Sequence, residues 1–327
     1  MAVYTKLSKE DIESLLSQYD CGALVDFEGI IQGVENSNYK IQTDKNKFIL
    51  TIFEARTNEE DLPFFFDFMA HLHAHGVYCP FVIEDKNEKR IQKISGKSAA
   101  LFSFLDGNNI ASSDITPEKC FQMGQLLARM HIYSVDFAET RHNSMSLPAW
   151  TSLYAKISSV IPAKAGIQGV QQHLDPVFQR DDTEEELKLA EKTLSLNLPK
   201  AVCHLDAFPD NIFEHDGKIC GVIDFYFSAF DFLAYDLAIT LNAWCFENGE
   251  AQPQKINSLL KGYEELRPLQ AREKEEFQNL CRAAALRILM TRSHDHIFHD
   301  PENLVKPKDP SEYKRILEFH RDNKIFS

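Results

Sequence analysis

The sequence predicts an α+β fold in two lobes, an antiparallel sheet followed by a mostly helical second half. Three features predict it. Short alternating apolar segments are confined to the first 105 residues, helical patterns dominate from residue 117, and two apolar strand-like pieces at 201–204 and 219–223 flank a polar stretch. The expected division is 1–105 for a nucleotide-binding lobe and 106–327 for a helical lobe. The two would meet near residues 103–107, and clefts between lobes are common places for small-molecule sites.

Ser8 followed three residues later by Asp11, with Ile12, Leu15 and Leu16 after it, reads as a capped amphipathic helix. Residues 29–33, 38–43 and 47–53 then alternate as strands separated by Gly, Asn, Asp and Lys, the chemistry of tight turns. Leu62, Phe65, Phe66, Met69 and Leu72 recur at helical spacing and end at Gly76, a C-cap residue. Residues 64–68 read as core under the sheet. Strand-like runs follow at 81–84 and 98–105. Pro117 opens a strong helix through His131. Residues 161–183 lack a pattern and are expected to form a surface insertion or loop, and 184–196 are helical.

Composition narrows the function. Apolar residues make up 44% and charged residues 26%, ordinary for a globular enzyme, and the formal net charge is −14. An acidic surface repels nucleic acid and anionic membranes, so neither is an expected partner, and any phosphate site must be local. Seven scattered cysteines without C-x-x-C spacing read as reduced thiols. The first residues carry no apolar signal region and no run approaches eighteen apolar residues, so a cytoplasmic protein is expected.

The segment VCHLDAFPDNIF contains His204-x-Asp206-x-x-x-x-Asn211, and Asp224 follows at a strand end within GVIDF. This is the spacing of a kinase catalytic loop. Phosphoryl transfer needs an aligned hydroxyl and cations on the transferred group. A carboxylate at Asp206 can orient the hydroxyl and take its proton. The amide oxygen of Asn211 and the carboxylate of Asp224 are hard ligands suited to Mg²⁺. His204 is placed to brace the loop. The bland alternative is that His204, Asp206 and Asn211 only cap turns of a hairpin; the apolar strands on both sides favour the kinase reading.

Those residues, with Asp231 and Y-D-L-A at 235–238, resemble the aminoglycoside-phosphotransferase and choline-kinase-like group, which has the protein-kinase-like fold. The start MAVYTKLSKEDIESLLSQYDCG, then GVENSNYKIQT, FILTIFE, LPFFFDFMAHLHAHGVYCP and RAAALRILMTR resemble the bacterial homoserine kinases of that group along nearly the whole chain. The resemblance implies phosphorylation of the side-chain hydroxyl of L-homoserine by ATP with Mg²⁺, in threonine biosynthesis. It implies Asp206 as base and Asn211 with Asp224 as metal ligands. It places adenine at Ser103, Phe104 and Leu105, and the phosphates under a hairpin loop that includes Asn36, Ser37 and Asn38. Two positions depart from the wider kinase pattern. Thr51 stands where most kinases put a phosphate-holding lysine, with Glu59, Glu60 and Asp61 all possible remnants of its partner. Tyr226 stands where the glycine of D-F-G belongs.

A substrate carboxylate would want a guanidinium. Arg282, Arg287 and Arg292 are five apart, about 140° around a helix, so they form no single stripe; Arg287 or Arg292 is the candidate. Asp231 and Asp236 read as bracing carboxylates, with a substrate ammonium the alternative for Asp231. The histidines of 294–299 are expected in a solvated loop rather than a metal cluster. The competing functions are a kinase of another small alcohol, such as choline, ethanolamine, a sugar or an aminoglycoside, and a non-catalytic nucleotide-binding module.

Overall fold

The computed structural model describes residues 4–30, 36–54, 57–164, 180–299 and 306–326, which divide into two compact units. The first comprises described residues of Met1–Gly107 together with Gly221–Tyr226; the second those of Asn108–Cys220, Phe227–Asp300 and Lys306–Ser327.

The first unit opens on helix α1 (Lys9–Leu16), closed by the expected box: Asp11 N–H donates to Ser8 Oγ at 3.1 Å and Ser8 N–H to Asp11 Oδ2 at 2.9 Å. Five antiparallel strands follow, β1 (Leu24–Ile30), β2 (Ser37–Thr43), β3 (Lys47–Ile52), β4 (Gln92–Ile94) and β5 (Lys97–Ser103), in the order β1-β2-β3-β5-β4. Alternation sends Tyr39, Ile41, Leu50, Ile52 and Leu101 against Ile12, Leu15 and Leu16 of α1. Helix α2 (Leu62–Ala74) covers the other face, where Phe66 meets Phe102 edge-on at 5.5 Å. Gly76 beyond its end has φ +84, and residues 64–68 are core except half-buried Asp67.

The expected strand at 81–84 is only a bridge, Val82 to Phe102. Pro80 supplies no N–H before it, and the Phe81 N–H goes to Ser103 Oγ at 3.0 Å instead of a ladder carbonyl.

The second unit is mainly helical: α3 (Pro117–Ser134), α4 (Leu147–Lys164), α5 (Arg180–Leu194), α6 (Leu233–Trp244), α7 (Pro253–Leu266), α8 (Ala271–Ile297) and α9 (Ser311–Asp322). Small strands punctuate it: β6 (Asn108–Asn109), β7 (Lys200–Cys203), β8 (Ile212–His215), β9 (Lys218–Val222) and β10 (Ala229–Phe232). β7 pairs antiparallel with β10, and the order of the other three is β6-β8-β9. Helices α3 and α7 cross at backbone contact. A Cβ at Gly124 would strike Leu259 and Tyr263, and one at Gly262 would strike Phe121. The patternless stretch is narrower than expected, since α4 reaches Lys164 and α5 starts at Arg180; 165–179 lie outside the described residues. The loop expected around His294 is helical through Ile297. No breaker interrupts it, and the His294 ring rests on Phe298 one turn later, 4.7 Å between centroids.

His320 of α9 is buried, with Nε2 2.7 Å from Asn242 Oδ1 and Nδ1 3.1 Å from Gln278 Nε2. Neutral imidazole satisfies both contacts as donor and acceptor; the protonated ring has no acceptor for Gln278. Burial, aided by the Arg282 charge, pushes its pKa down to about 3 from 6.5. Below the unfolded value only the unfolded chain takes the proton, so stability falls as pH drops from about 6.5 toward about 3. Urea unfolding between pH 7 and 5 should show a slope approaching about 1.4 kcal/mol per pH unit from this group. His320→Gln should flatten it; an unchanged slope would assign the acid sensitivity elsewhere.

Candidate active site

Strand β7 carries the chain into the buried His204, and the turn that follows is tight: Leu205 has φ +63, a left-handed conformation that a leucine adopts only when its surroundings impose it. The imposing group is Asp236 on α6. Its Oδ2 accepts His204 N–H at 3.1 Å and its Oδ1 accepts Leu205 N–H at 2.9 Å. Leu205 C=O accepts from Arg287 Nη1 at 2.7 Å, and Ala207 C=O from Trp244 Nε1 at 2.8 Å. Asp206 is half-buried, and its N–H donates to His204 Nδ1 at 3.2 Å. Asn211 closes the loop by donating Nδ2 to Asp206 C=O at 2.8 Å and to Asp206 Oδ2 at 3.1 Å. That orientation leaves Asn211 Oδ1, the atom a hard cation would use, with no hydrogen bond among the described residues.

Asp236 is itself held from behind. His131 Nε2 lies 3.0 Å from Oδ2, its Nδ1 2.7 Å from the Tyr263 hydroxyl, and that hydroxyl accepts from Arg267 at 3.1 Å, which pairs with Glu273 at 2.9 Å. Burial pushes the Asp236 carboxyl up, but the His131 hydrogen bond and charge, His204 and the Leu205 N–H outweigh it and hold it below the ordinary range. Cys203 lies close enough to His131 and Asp236 for the three to suggest a metal cluster. The His131 and Asp236 donors are already spent on one another, and burial pushes the Cys203 thiol well up, so it stays protonated and is a poor metal ligand.

In the first unit, Asp224 stands two residues beyond the end of β9 at Val222 and has φ +66. Phe225 after it is buried against Phe68, and Tyr226 sits edge-on between Phe53 and Phe65, at 5.4 and 5.6 Å. The Tyr226 phenol lies beside Thr51, whose hydroxyl donates to Asn38 Oδ1 at 2.8 Å across the β2–β3 pair. Burial and then the Asp224 charge push that phenol up, so it stays neutral. The two departures from the kinase pattern are thus neighbours, and with Asn38 they form a neutral cluster at the lysine position. Of the candidate remnants of that lysine's partner, Glu59 pairs with Lys93 at 2.6 Å.

The other nucleotide candidates divide. Ser37 is buried; its Oγ accepts Tyr4 N–H at 2.8 Å and Thr5 N–H at 3.0 Å and donates to Glu54, so it anchors the N-terminal segment. Asn36 Oδ1 accepts Glu54 N–H at 3.1 Å. Ser103 N–H goes to Phe81 C=O at 2.9 Å, whereas the N–H and C=O groups of Phe104 and Leu105 have no hydrogen bond among the described residues. Unspent backbone groups of that kind are what an adenine edge requires.

The three arginines of α8 have different fates. Arg282 pairs with Glu186 at 2.6 Å, and Arg292 with Glu312 at 2.6 Å while lying 4.5 Å from the Tyr313 ring. Arg287 is 2% exposed and has no carboxylate partner among the described residues, and its Nε donates to nothing there. Asp231 faces β7 from β10, with Asn143 Nδ2 at 2.7 Å on Oδ2 and Phe232 N–H at 2.7 Å on Oδ1; burial pushes it up despite those bonds.

Residues 26–269 match the model of a phosphotransferase enzyme family. The chain is 42% identical to the homoserine kinase of Xanthobacter autotrophicus, over 98% of this chain and 96% of that one. It is also 42% identical to that of Paramagnetospirillum magneticum, over 98% and 97%. It belongs to the homoserine kinase family. As a member it is a phosphotransferase. Among solved structures it resembles an amicoumacin kinase bound to AMP-PNP and Ca²⁺ (TM-score 0.70, 15% identical, 98% and 95% covered) and a spectinomycin phosphotransferase (0.70, 15%, 98% and 97%), which establishes the protein-kinase-like fold.

Within the second unit the structure gathers His204, Asp206, Asn211, Asp236 and Arg287 around one loop, leaves Arg292 in an ion pair, and places Asp224 in the first unit. Sequence reasoning missed His131, Asn143 and Tyr313. Each is a single residue on a helix or loop with no motif around it, and only packing brings it to the site. Asp236→Ala should cost about 3–5 kcal/mol in chemical denaturation, because it strips a buried histidine and two backbone N–H groups of their acceptor. A loss under about 1 kcal/mol would show that Asp236 does not hold the loop.

Proposed function

We infer that this protein transfers the terminal phosphoryl group of ATP to the side-chain hydroxyl of L-homoserine, giving O-phosphohomoserine and ADP in threonine biosynthesis. The carrying observation is full-length similarity to homoserine kinases in a chain whose catalytic loop bonds directly to a buried guanidinium that has no carboxylate ion pair among the described residues. Asp206 orients the homoserine hydroxyl and takes its proton as the new O–P bond forms. Asn211 donates its amide to Asp206 and so holds that carboxylate in one orientation. With Asp224 it supplies the oxygen donors for Mg²⁺, which would neutralise phosphate charge on an acidic protein. Phe104 and Leu105 offer backbone groups to adenine. Arg287 meets the α-carboxylate, and Asp231 is available to the α-ammonium. No helix among the described residues is long and apolar enough to cross a membrane, and we place the enzyme in the cytoplasm.

A kinase of choline, ethanolamine or another carboxylate-free amino alcohol would have to bring a cation beside the buried guanidinium of Arg287, which repels it. A non-catalytic module would not need Asp206, Asn211 and Asp224 together. An ADP-release assay with Mg-ATP against homoserine, serine, threonine, choline and an aminoglycoside should show homoserine far ahead; preference for any other acceptor overturns the assignment. Asp206→Ala should lower kcat by at least about 10³-fold with an unchanged unfolding midpoint, and a variant retaining most of its kcat would remove Asp206 from the base role.

A further inference from the structure

Two tyrosines to which the sequence gives no role lie near Arg287. Tyr235, on α6, is 1% exposed, and Tyr313, on α9, is 2% exposed. The Tyr313 hydroxyl and Arg287 Nε have no hydrogen-bond partner among the described residues; the Tyr235 hydroxyl lies beside the Arg287 guanidinium, from which it can only accept, so its own O–H hydrogen is unspent there. Three buried donors without acceptors in one region are costly, because buried polar groups are almost always paired. They are not scattered. Arg287 bonds to Leu205, next to Asp206, and its guanidinium lies 5.7 Å from the Phe227 ring. Arg292, five residues along the same helix, lies 4.5 Å from the Tyr313 ring and its Nη1 bonds to Glu312, the residue before it.

Charge places the phenols more closely. Burial first, with the charges of Glu312 and Asp206, pushes Tyr313 up against the pull of Arg292 and Arg287. Burial likewise pushes Tyr235 up, with Asp231 and Asp236 adding to it and Arg287 opposing. Both stay protonated, and a protonated phenol beside a guanidinium is a donor waiting for an anion. A carboxylate has two oxygens and about four acceptor positions, enough for all three donors.

We propose that the hydroxyls of Tyr313 and Tyr235, with Arg287 Nε, bind the α-carboxylate of the substrate and so decide that the enzyme takes an amino acid rather than the corresponding amino alcohol. The proposal rests on the homoserine reading and adds the residues that set its selectivity. Tyr313 is the more informative of the pair, because it feels both Asp206, where the hydroxyl reacts, and Arg287, where the carboxylate is held.

Steady-state kinetics of the full chain with homoserine and with 3-aminopropan-1-ol, its decarboxylated analogue, tests this. The wild type should favour homoserine strongly. Tyr313→Phe and Tyr235→Phe should each raise KM for homoserine about 10-fold or more, with KM for ATP and the kcat/KM for the amino alcohol within twofold of wild type. Because the Tyr313 hydroxyl has no hydrogen-bond partner among the described residues, Tyr313→Phe should not lower the unfolding midpoint. An unchanged homoserine KM overturns the proposal, as does a parallel fall with both substrates or a drop in the stability of Tyr313→Phe, which would mark that phenol as structural. A wild type that ignores homoserine overturns the functional reading beneath it; a wild type that uses homoserine beside indifferent Phe variants overturns this inference alone.

Discussion

The buried carboxylate of Asp236 is the constraint on which the catalytic loop depends. A leucine at φ +63 is strained, and a strained turn persists only where its surroundings leave no alternative. Asp236 removes the alternatives by accepting two consecutive N–H groups, from His204 and Leu205, with its two oxygens. The consequence for chemistry is positional: Asp206 follows directly, and its carboxylate is steadied by Asn211. An ionised group so far inside would be unaffordable alone. His131, Tyr263, Arg267 and Glu273 distribute its charge through four side chains, joining α3, α6, α7 and α8 in one polar chain.

The first unit solves a different electrostatic problem. At the position where the sequence resemblance leads one to expect a lysine, Thr51, Asn38 and Tyr226 form a neutral, hydrogen-bonded cluster walled by Phe53 and Phe65. The lysines nearby are already committed, Lys97 to Glu54 and Lys93 to Glu59. Under the proposed function, charge on the phosphates would be met largely by the metal and by backbone groups, which accords with a chain of net charge −14. The ring of Tyr226 between two phenylalanines also packs the segment after Asp224 into the first unit.

Much of the architecture was legible because its signals are local. The Ser8–Asp11 box, the alternation of 37–43 and 47–52, and Pro117 at a helix start each depend on neighbours in sequence. The alternation at 81–84 yields a bridge and not a strand because strand formation needs a partner's geometry, which Pro80 and the Ser103 side chain decide locally in three dimensions. The helical continuation through His294 was missed because polar residues on an exposed helix end look like a loop when only composition is read.

The sequence by itself determined which residues the proposed chemistry rests on: His204, Asp206, Asn211 and Asp224 sit within 21 residues, so their spacing is written in the chain. Tertiary structure alone decided which arginine is available. Arg287 and Arg292 are equivalent in sequence, five apart on one helix, and only the fold puts Glu312 beside one and leaves the other buried without a carboxylate among the described residues. The physical reason is that ion pairing and burial are properties of contacts between distant segments, and α9 reaches α8 only when the helical unit has packed.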